Sequence, residues 1–182
     1  MTFLQTYSGK KFDFQSPDID AIEIEDIARG LSLQCRFAGQ CRRFYSVAEH
    51  CIHVSRLLST EPECMAALLH DAAEAYIGDI PSPLKSLITS IEPIEYRIQK
   101  TIYKKFGVYE TYSQSAHLIK NADRCALKIE AQNLLNQPFV EDWADKLPDT
   151  KLPIAIQCWE PIVAEQLFLS AFYSLELMKG AA

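Results

Sequence analysis

The sequence predicts an all-α domain preceded by a short N-terminal β-hairpin. Apolar residues recur at helical spacing in several long segments, and capping residues or prolines stand at the ends of these segments. No strand-rich region follows the N-terminal segment. Because 182 residues suffice for one domain with a proper core and are few for two, we assign residues 1–182 to a single domain.

The N-terminal part is expected to contain a hairpin, one helix and a loop. Residues 3–14 have a Ser-Gly pair in the middle and predict the hairpin, and a turn that contains proline follows at 17–20. Asp20 is placed to cap a helix over 22–33. Residues 34–45 contain glycine and three arginines and predict a loop.

The clearest helix start is a serine that is followed three residues later by a glutamate. Ser46 and Glu49 match the reciprocal capping box, in which each side chain accepts a hydrogen bond from the other residue's backbone N–H. The helix that they begin is expected to reach Leu58. A second helix is predicted over 62–76, with Gly78 just after its end.

The rest of the chain is expected to be helical, with one long loop. Pro81 and Pro83 predict an irregular segment after the second helix. Three further helices are predicted, at 91–106, 114–136 and 159–178. The long loop between the last two is marked by Pro138, Pro148 and Pro153.

The composition excludes several classes of protein. The chain has 24 acidic residues against 18 basic ones and a net charge of −6, which argues against a protein that coats nucleic acid or an anionic membrane. No stretch approaches the ~20 apolar residues that span a bilayer, and the first ten residues lack the pattern of a secretion signal. The six cysteines form no C-x-x-C pair. These features predict a cytoplasmic protein with reduced cysteines and no membrane partner.

The predicted helix over 62–76 combines an apolar surface with three ionisable residues. Apolar side chains cover nearly all of its circumference, so it is expected to lie buried at the centre of the domain. It nevertheless carries His70, Asp71 and Glu74 close together. Burying unpaired charges is costly, so these groups must be paired or bound to a cation. A structural salt bridge accounts for one such group, whereas three on one turn indicate a metal site.

Two further residues complete the candidate metal site. If the two helices pack antiparallel across a short turn, His50 lies level with His70 and Asp71. Asp123 stands in the middle of an apolar stripe on a later helix, where a carboxylate needs a positive partner. Two imidazoles and two carboxylates suit one divalent ion, such as Mn, Fe, Co, Ni, Zn or Mg. Four protein ligands leave coordination positions for water and a substrate oxygen.

The remaining histidines are given other roles. His53 shares a helix face with His50, and we expect it to pack near the site or to support a ligand rather than to bind the metal. His117 lies six residues before Asp123, well off its face, and is expected on the surface. A single histidine is more often a hydrogen-bonded core or surface residue than a ligand, so the metal assignment depends on the whole set.

Four segments resemble the motifs of the HD-domain phosphohydrolases. They are Ser46-Val-Ala-Glu-His50, Leu69-His70-Asp71-Ala-Ala-Glu74, Gly78-Asp79-Ile-Pro81-Ser-Pro83 and Lys120-Asn-Ala-Asp123. The similarity is closest to the 5′-deoxynucleotidase branch and to short phage-type relatives that hydrolyse deoxynucleoside triphosphates such as dATP. It extends from about Ile24 to Asn136. This resemblance implies an HD-domain helical bundle.

The resemblance also implies residue roles. The implied metal ligands are His50, His70, Asp71 and Asp123, and Glu74 and Asp79 are implied to act on the attacking water and the leaving group. Arg36-Phe37 stands where that branch has an arginine-aromatic pair for substrate binding, with Phe where many relatives have Trp. Because the relatives are usually homo-oligomers, we expect one here.

Elementary chemistry is consistent with these roles and leaves alternatives. A metal-bound water is far more acidic than bulk water, and Glu74 lies one turn past the His70-Asp71 pair, where it can hold or deprotonate that water. The alternative for Glu74 is a salt bridge to a nearby basic residue. Asp79 follows a glycine at the helix end and is alternatively a turn residue.

Substrate contacts are expected from basic and aromatic residues. Among the basic residues, Arg36 and Lys120 are the candidates to neutralise phosphate oxygens. Phe37 either offers an apolar face to a base or sugar or packs in the core. An acidic protein with one such arginine favours a small nucleotide over a nucleic-acid polymer.

We therefore expect a metal-dependent phosphohydrolase that releases phosphate from a deoxynucleoside monophosphate. One alternative is release of triphosphate from a deoxynucleoside triphosphate such as dATP. A second alternative is a nucleotide-binding regulatory module without catalysis. Glu74 and Asp79 argue against this second alternative, because a purely structural metal site does not need them.

Overall fold

The computed structural model describes residues 3–136 and 140–179. Within these ranges the chain forms nine α-helices and one two-stranded antiparallel sheet, which confirms the predicted fold class. The elements are β1 (Phe3–Gln5), β2 (Lys11–Asp13), α1 (Ile24–Leu33), α2 (Val47–Ser55), α3 (Glu61–Leu68), α4 (Glu74–Ile77), α5 (Ser82–Lys85), α6 (Ile91–Lys105), α7 (Tyr109–Leu134), α8 (Val140–Ala144) and α9 (Pro161–Lys179). Pro138, which was predicted to mark a loop, lies outside the described residues.

The hairpin forms where the sequence predicts it and packs on the helices. Phe12 on β2 is fully buried and stacks on Tyr76 of α4, with ring centroids 3.9 Å apart and planes 9° from parallel. In the turn, Ser8 donates from its backbone N–H (2.6 Å) and its hydroxyl (2.8 Å) to the carboxylate of Asp26 on α1. A short strand pair is marginal in water, so these contacts hold it against the domain.

The start of α1 differs from the prediction. Asp18, rather than Asp20, is the capping residue, because its carboxylate accepts the backbone N–H of Asp20 at 3.0 Å. This cap begins a 3₁₀ turn over Ile19–Ala21, and α1 starts only at Ile24. Farther along α1, Gly30 permits close packing against α4, because a Cβ atom there would lie 2.8 Å from the Cβ of Ala75.

The segment predicted to be central is buried as expected at residues 65–69, and α2, which packs beside it, is buried along its whole length. All nine residues of α2 are buried, and the helix packs against α1, α3, α7 and α9. Ser46 caps it as predicted, with its hydroxyl accepting the N–H of Glu49 at 3.1 Å. The prediction that the Glu49 side chain would accept the backbone N–H of Ser46 in return is wrong. The Glu49 carboxylate instead accepts three backbone N–H groups from residues 157–159, at 2.8–3.0 Å. The helix ends at Ser55, three residues before the predicted end.

The prediction of one continuous helix over 62–76 is also wrong. It is split into α3 and α4 by tight turns at 69–73, in which Glu74 N–H donates to the carbonyl of Asp71, three residues back, at 2.9 Å. Gln99 of α6 supports this break. Its Nε2 donates to the carbonyl of Leu69 (2.6 Å), and its Oε1 accepts the N–H of Ala73 (2.9 Å). Backbone groups that an unbroken helix would pair are therefore satisfied by a side chain from another helix.

The later helices follow the prediction more closely. Helix α6 and helix α9 match their predicted ranges within two residues at each end, and α7 begins five residues earlier than expected. Two short helices, α5 and α8, lie in segments that were predicted to be irregular. Pro83 does not prevent α5 because it occupies the first turn, where a helix needs no N–H donor.

Two further properties concern the whole described chain. All six cysteines are free. Over residues 3–136 and 140–179, we find no helix with both the length and the apolar character needed to cross a bilayer.

Candidate metal centre

Three of the predicted ligands converge between α2, α7 and the turn that joins α3 to α4. The Nε2 atoms of His50 and His70 lie 3.3 Å apart. Oδ2 of Asp71 is 3.5 Å from Nε2 of His50 and 3.2 Å from Nε2 of His70. One ligand atom from each of the three residues lies within 4.8 Å of the others, so they could hold a metal ion.

The fourth predicted ligand approaches the same point from α7. Oδ1 of Asp123 lies 3.2 Å from Nε2 of His50 and 4.0 Å from Nε2 of His70. Its side chain is about one-third exposed, whereas His50 is completely buried. Asp123 therefore lies on the solvent side of the cluster, as a ligand beside an open coordination position would.

The outer nitrogen of each imidazole has a hydrogen-bond acceptor. Nδ1 of His50 donates to Oε1 of Glu130 at 2.7 Å, and Nδ1 of His70 donates to the carbonyl oxygen of Ala67 at 2.7 Å. In the neutral rings these acceptors keep the proton on Nδ1 and leave a lone pair on Nε2. Metal-binding histidines are typically oriented in this way.

The chemistry of this donor set fits a metal ion. Two Nε2 lone pairs and two carboxylates face one another, and a cation between them would satisfy all four. A protonated imidazole would also satisfy the carboxylates, and its attraction to them shifts the pKa values of both partners. Burial opposes protonation of His70, yet the Asp71 carboxylate raises its pKa well above the usual value. Burial alone would raise the pKa of Asp71, but His70 and His50 lower it.

Glu130 is a functional candidate that the sequence analysis missed. It is completely buried on α7, where it accepts the Tyr45 hydroxyl at 2.9 Å in addition to the His50 ring. Burial acts to raise the pKa of Glu130, but His50 and Arg36 outweigh it and lower the pKa to about 2. Glu130 therefore stays ionised. Its position seven residues after Asp123, two turns along the same helix face, was the signal that could have identified it.

The predicted substrate residue Arg36 lies beside the cluster. Its Nε atom is 3.1 Å from Oε2 of Glu130, and its Nη1 atom is 3.7 Å from Oδ2 of Asp71. Burial acts against its charge, but Glu130 and Asp71 raise its already high pKa further. Phe37 follows with a φ of 58°, a left-handed conformation that bulky residues rarely adopt. The Arg36 guanidinium carbon lies 5.6 Å from the centroid of the Phe37 ring.

The second basic candidate, Lys120, lies on the surface. Lys120 is exposed on α7, one turn before Asp123. Two other arginines, in the loop that contains Arg36, bind backbone carbonyls. Arg42 donates to the carbonyl of Asn133 at 2.8 Å, and Arg43 donates to that of Gln157 at 3.1 Å.

The proposed base Glu74 has one paired and one unpaired oxygen. Its Oε1 lies 3.2 Å from Nζ of Lys85, so the salt bridge considered as an alternative is present. Its Oε2 is buried and has no hydrogen-bond partner among the described residues. Burial, followed by the charges of Asp71 and Asp79, raises the pKa of Glu74 well above the usual value. A carboxylate in this state has a free oxygen and a high proton affinity.

Asp79 is held in place by a second residue that the sequence analysis missed. Gln34, just after α1, accepts the N–H of Asp79 at 2.8 Å and donates to the carbonyl of Glu74 at 2.8 Å. Gly78, which lies between Glu74 and Asp79 in the chain, adopts a φ of 90° and ends α4. Burial, partly opposed by Arg36, raises the pKa of Asp79. One amide side chain thus fixes a backbone group of each of the two catalytic candidates.

The remaining histidines occupy the positions that we expected. His53 is buried one turn after His50 and stacks against Trp159, with ring centroids 5.9 Å apart. Its Nε2 lies 3.6 Å from Oε1 of Glu49. His117 is exposed on α7.

Comparison with known proteins gives two clear similarities. The chain is 42% identical over 134 residues to the uncharacterized protein YfdR of Escherichia coli K12, and this alignment covers 74% of the chain and 73% of YfdR. It is 32% identical over 160 residues to an uncharacterized protein of Rhodobacter capsulatus, with 82% of the chain and 81% of that protein covered. No protein-family model matches the chain.

Proposed function

The chain belongs to the family that includes YfdR of Escherichia coli, and we propose that it is a metal-dependent phosphohydrolase of deoxynucleotides. One observation carries the proposal. Both imidazole Nε2 atoms, with their Nδ1 protons engaged elsewhere, face the carboxylates of Asp71 and Asp123. The proposed metal ligands are therefore His50, His70, Asp71 and Asp123.

Charge balance favours a divalent ion. Three carboxylates, those of Asp71, Asp123 and Glu130, surround the two imidazoles, and Arg36 supplies one positive charge. Two negative charges remain when both imidazoles are neutral, and one divalent cation neutralises them. Mn, Co, Fe, Ni, Zn and Mg all meet this condition.

The residues around the ligands supply the other requirements of phosphate hydrolysis. A bound divalent ion would acidify a water molecule and polarise a phosphoryl oxygen. Glu74 holds the attacking water through its unpaired Oε2 and accepts a proton from it. Asp79 serves the leaving group, and burial raises the pKa of its carboxyl above the usual value.

The substrate is a small deoxynucleotide in this proposal. Arg36 binds phosphate oxygens beside the metal ligands, and Lys120 contributes charge from the exposed face of α7. Phe37, next to Arg36, offers its ring to the sugar or base. The negative net charge of the protein disfavours nucleic-acid polymers as substrates. We propose that the protein acts in the cytoplasm, as its composition and free cysteines favour, and that it is a homo-oligomer, as the resemblance to HD-domain phosphohydrolases implies.

A substrate screen tests this function. Nucleoside mono- and triphosphates of both sugar types are incubated with the protein and each of several divalent metals, and the products are identified. We expect orthophosphate from deoxynucleoside monophosphates and slower reaction of the ribonucleotides. Tripolyphosphate from dATP would instead establish the triphosphohydrolase alternative. Activity confined to polynucleotides or cyclic dinucleotides would contradict the substrate class, and binding without turnover would indicate a regulatory module.

A further inference from the structure

A cavity of about 230 Å³ opens beside the candidate metal centre, between α6 and the start of α7. We name it the tyrosine pocket, because its walls include Tyr96, Tyr103, Tyr109 and Tyr112 together with Lys100 and His70. None of these tyrosines was singled out by the sequence analysis. Four aromatic side chains around one small cavity form a surface suited to a planar ligand.

The tyrosine pocket is continuous with the metal centre through His70. The ring of His70 lines the pocket, and its Nε2 atom belongs to the proposed ligand set. Gln99, which also lines the pocket, fixes the turn that carries His70 and Asp71 through its two backbone hydrogen bonds. A molecule with its phosphate at the metal centre therefore has this pocket directly beside it.

The pocket contains polar groups that a ligand would engage. Tyr103 is almost completely buried and stacks on Tyr112, with ring centroids 4.5 Å apart. Its hydroxyl has no hydrogen-bond partner among the described residues, and an unsatisfied buried hydroxyl is unfavourable. Nζ of Lys100 lies 5.7 Å and 5.3 Å from the ring centroids of Tyr96 and Tyr109. Aromatic faces, an available hydroxyl and one ammonium match a nucleotide base.

The charge of the pocket excludes a polyphosphate as its occupant. Glu92 and Glu95 line it together with the single positive charge of Lys100. Lys85 neutralises Glu95 at 2.6 Å and also contacts Glu74 at 3.2 Å. No excess of positive charge remains for a phosphate chain, whereas the acids can accept hydrogen bonds from base amino groups.

We propose that the tyrosine pocket binds the base of the substrate, against the rings of Tyr96 and Tyr109, with the phosphate directed past His70. The sugar is then the part left to Phe37. This inference rests on the proposed function, because it assigns the second half of the same substrate. It also assigns a connection between the two halves. Lys85 pairs with Glu95 of the pocket and with Glu74, the proposed general base. A ligand in the pocket therefore acts on Glu74 through one ion-pair network.

Nucleosides without phosphate test the pocket separately from catalysis. The four 2′-deoxynucleosides are titrated into the full-length protein and binding is measured by calorimetry. We expect at least one to bind at millimolar concentrations. Tyr96→Ala and Tyr109→Ala should weaken that binding by about tenfold each, since loss of base stacking has an effect of this order. Tyr103→Phe should weaken it by about 2- to 10-fold, the effect of one hydrogen bond.

Controls separate this inference from the proposed function. Tyr7→Ala alters an exposed tyrosine of the hairpin turn and should bind nucleosides as the wild type does. Tyr96 is itself largely exposed, so its substitution leaves the core intact. Unchanged nucleoside binding in both Tyr96→Ala and Tyr109→Ala, or no binding to the wild type, would overturn the pocket assignment even if deoxynucleotides are hydrolysed. Binding that depends on these tyrosines, without release of phosphate from any nucleotide, would support the pocket and contradict the proposed hydrolysis.

Discussion

Nδ1 of His50 lies 2.7 Å from Oε1 of Glu130, and both side chains are completely buried. The carboxylate is held ionised by its neighbours, so it can only accept this hydrogen bond. The proton of the neutral ring is therefore on Nδ1, and Nε2 presents its lone pair to the candidate metal centre. A residue that contacts no metal thus determines which atom of His50 is available to bind one.

The first prediction concerns Glu130→Gln. The amide can still accept from His50 but has lost the charge that makes the imidazole a better ligand, so the Kd for metal should rise by about 10- to 100-fold. Competition with a chromophoric chelator measures this change. Glu110→Gln alters an exposed glutamate of the same helix and should leave the Kd unchanged. Equal affinity in the two variants would show that Glu130 has only a packing role.

The second prediction separates catalysis by Glu74 from its salt bridge. Glu74→Gln should keep the metal and the fold but reduce kcat on the order of 10²-fold, because the amide cannot accept the proton of the attacking water. Lys85→Met removes the partner of the salt bridge at 3.2 Å and should reduce kcat much less. If both variants lose activity to the same extent, Glu74 acts through the ion pair and another group handles the water.

The third prediction concerns the clamp formed by Gln34. Gln34→Ala removes two hydrogen bonds, to the carbonyl of Glu74 and from the N–H of Asp79. The free energy of unfolding in urea should fall by about 1–3 kcal/mol, and the amide of Asp79 should exchange with solvent faster. Turnover should fall as well, since both catalytic candidates lose a fixed backbone. Gln114→Ala, on the exposed face of α7, should change none of the three quantities.

The fourth prediction concerns Glu49, which holds the segment before α9. Glu49→Ala leaves three partly buried backbone N–H groups without their acceptor, so the free energy of unfolding should fall by about 3 kcal/mol. The fluorescence of Trp159, whose backbone N–H is one of the three donors, should change before the main unfolding transition. Glu141→Ala, an exposed glutamate of α8, provides the control. A stability equal to that of this control would contradict the anchoring role.

The positions of the proposed ligands were predictable because they depend on local patterns. His50 lies on α2 and His70 lies just after the end of α3, the next helix, and the short connection between the two helices places them together. Asp123 could be recognised from the apolar residues on its own helix face. Glu130 continues the same face by two turns, and the same reasoning extended by seven residues would have included it.

The errors arose where distant parts of the chain compete with local patterns. Ser46 and Glu49 have the spacing of a capping box, but the three N–H groups at 157–159 offer the Glu49 carboxylate more partners than Ser46 alone. The break in the helix over 62–76 is supported by Gln99 of α6, which is more than 25 residues away in sequence. Helical periodicity carries no information about such long-range hydrogen bonds.

The most direct test of the metal-dependent hydrolysis is the rate of phosphate release from deoxynucleoside monophosphates by the wild type and by Asp71→Asn, each after incubation with a divalent metal. The wild type should release phosphate, and removal of the metal with a chelator should abolish this reaction. Asp71→Asn should lose both the bound metal and turnover, because its carboxylate contacts both imidazoles. His117→Ala, an exposed histidine, should retain both. Metal content and phosphate release in Asp71→Asn equal to those of the wild type would contradict the account.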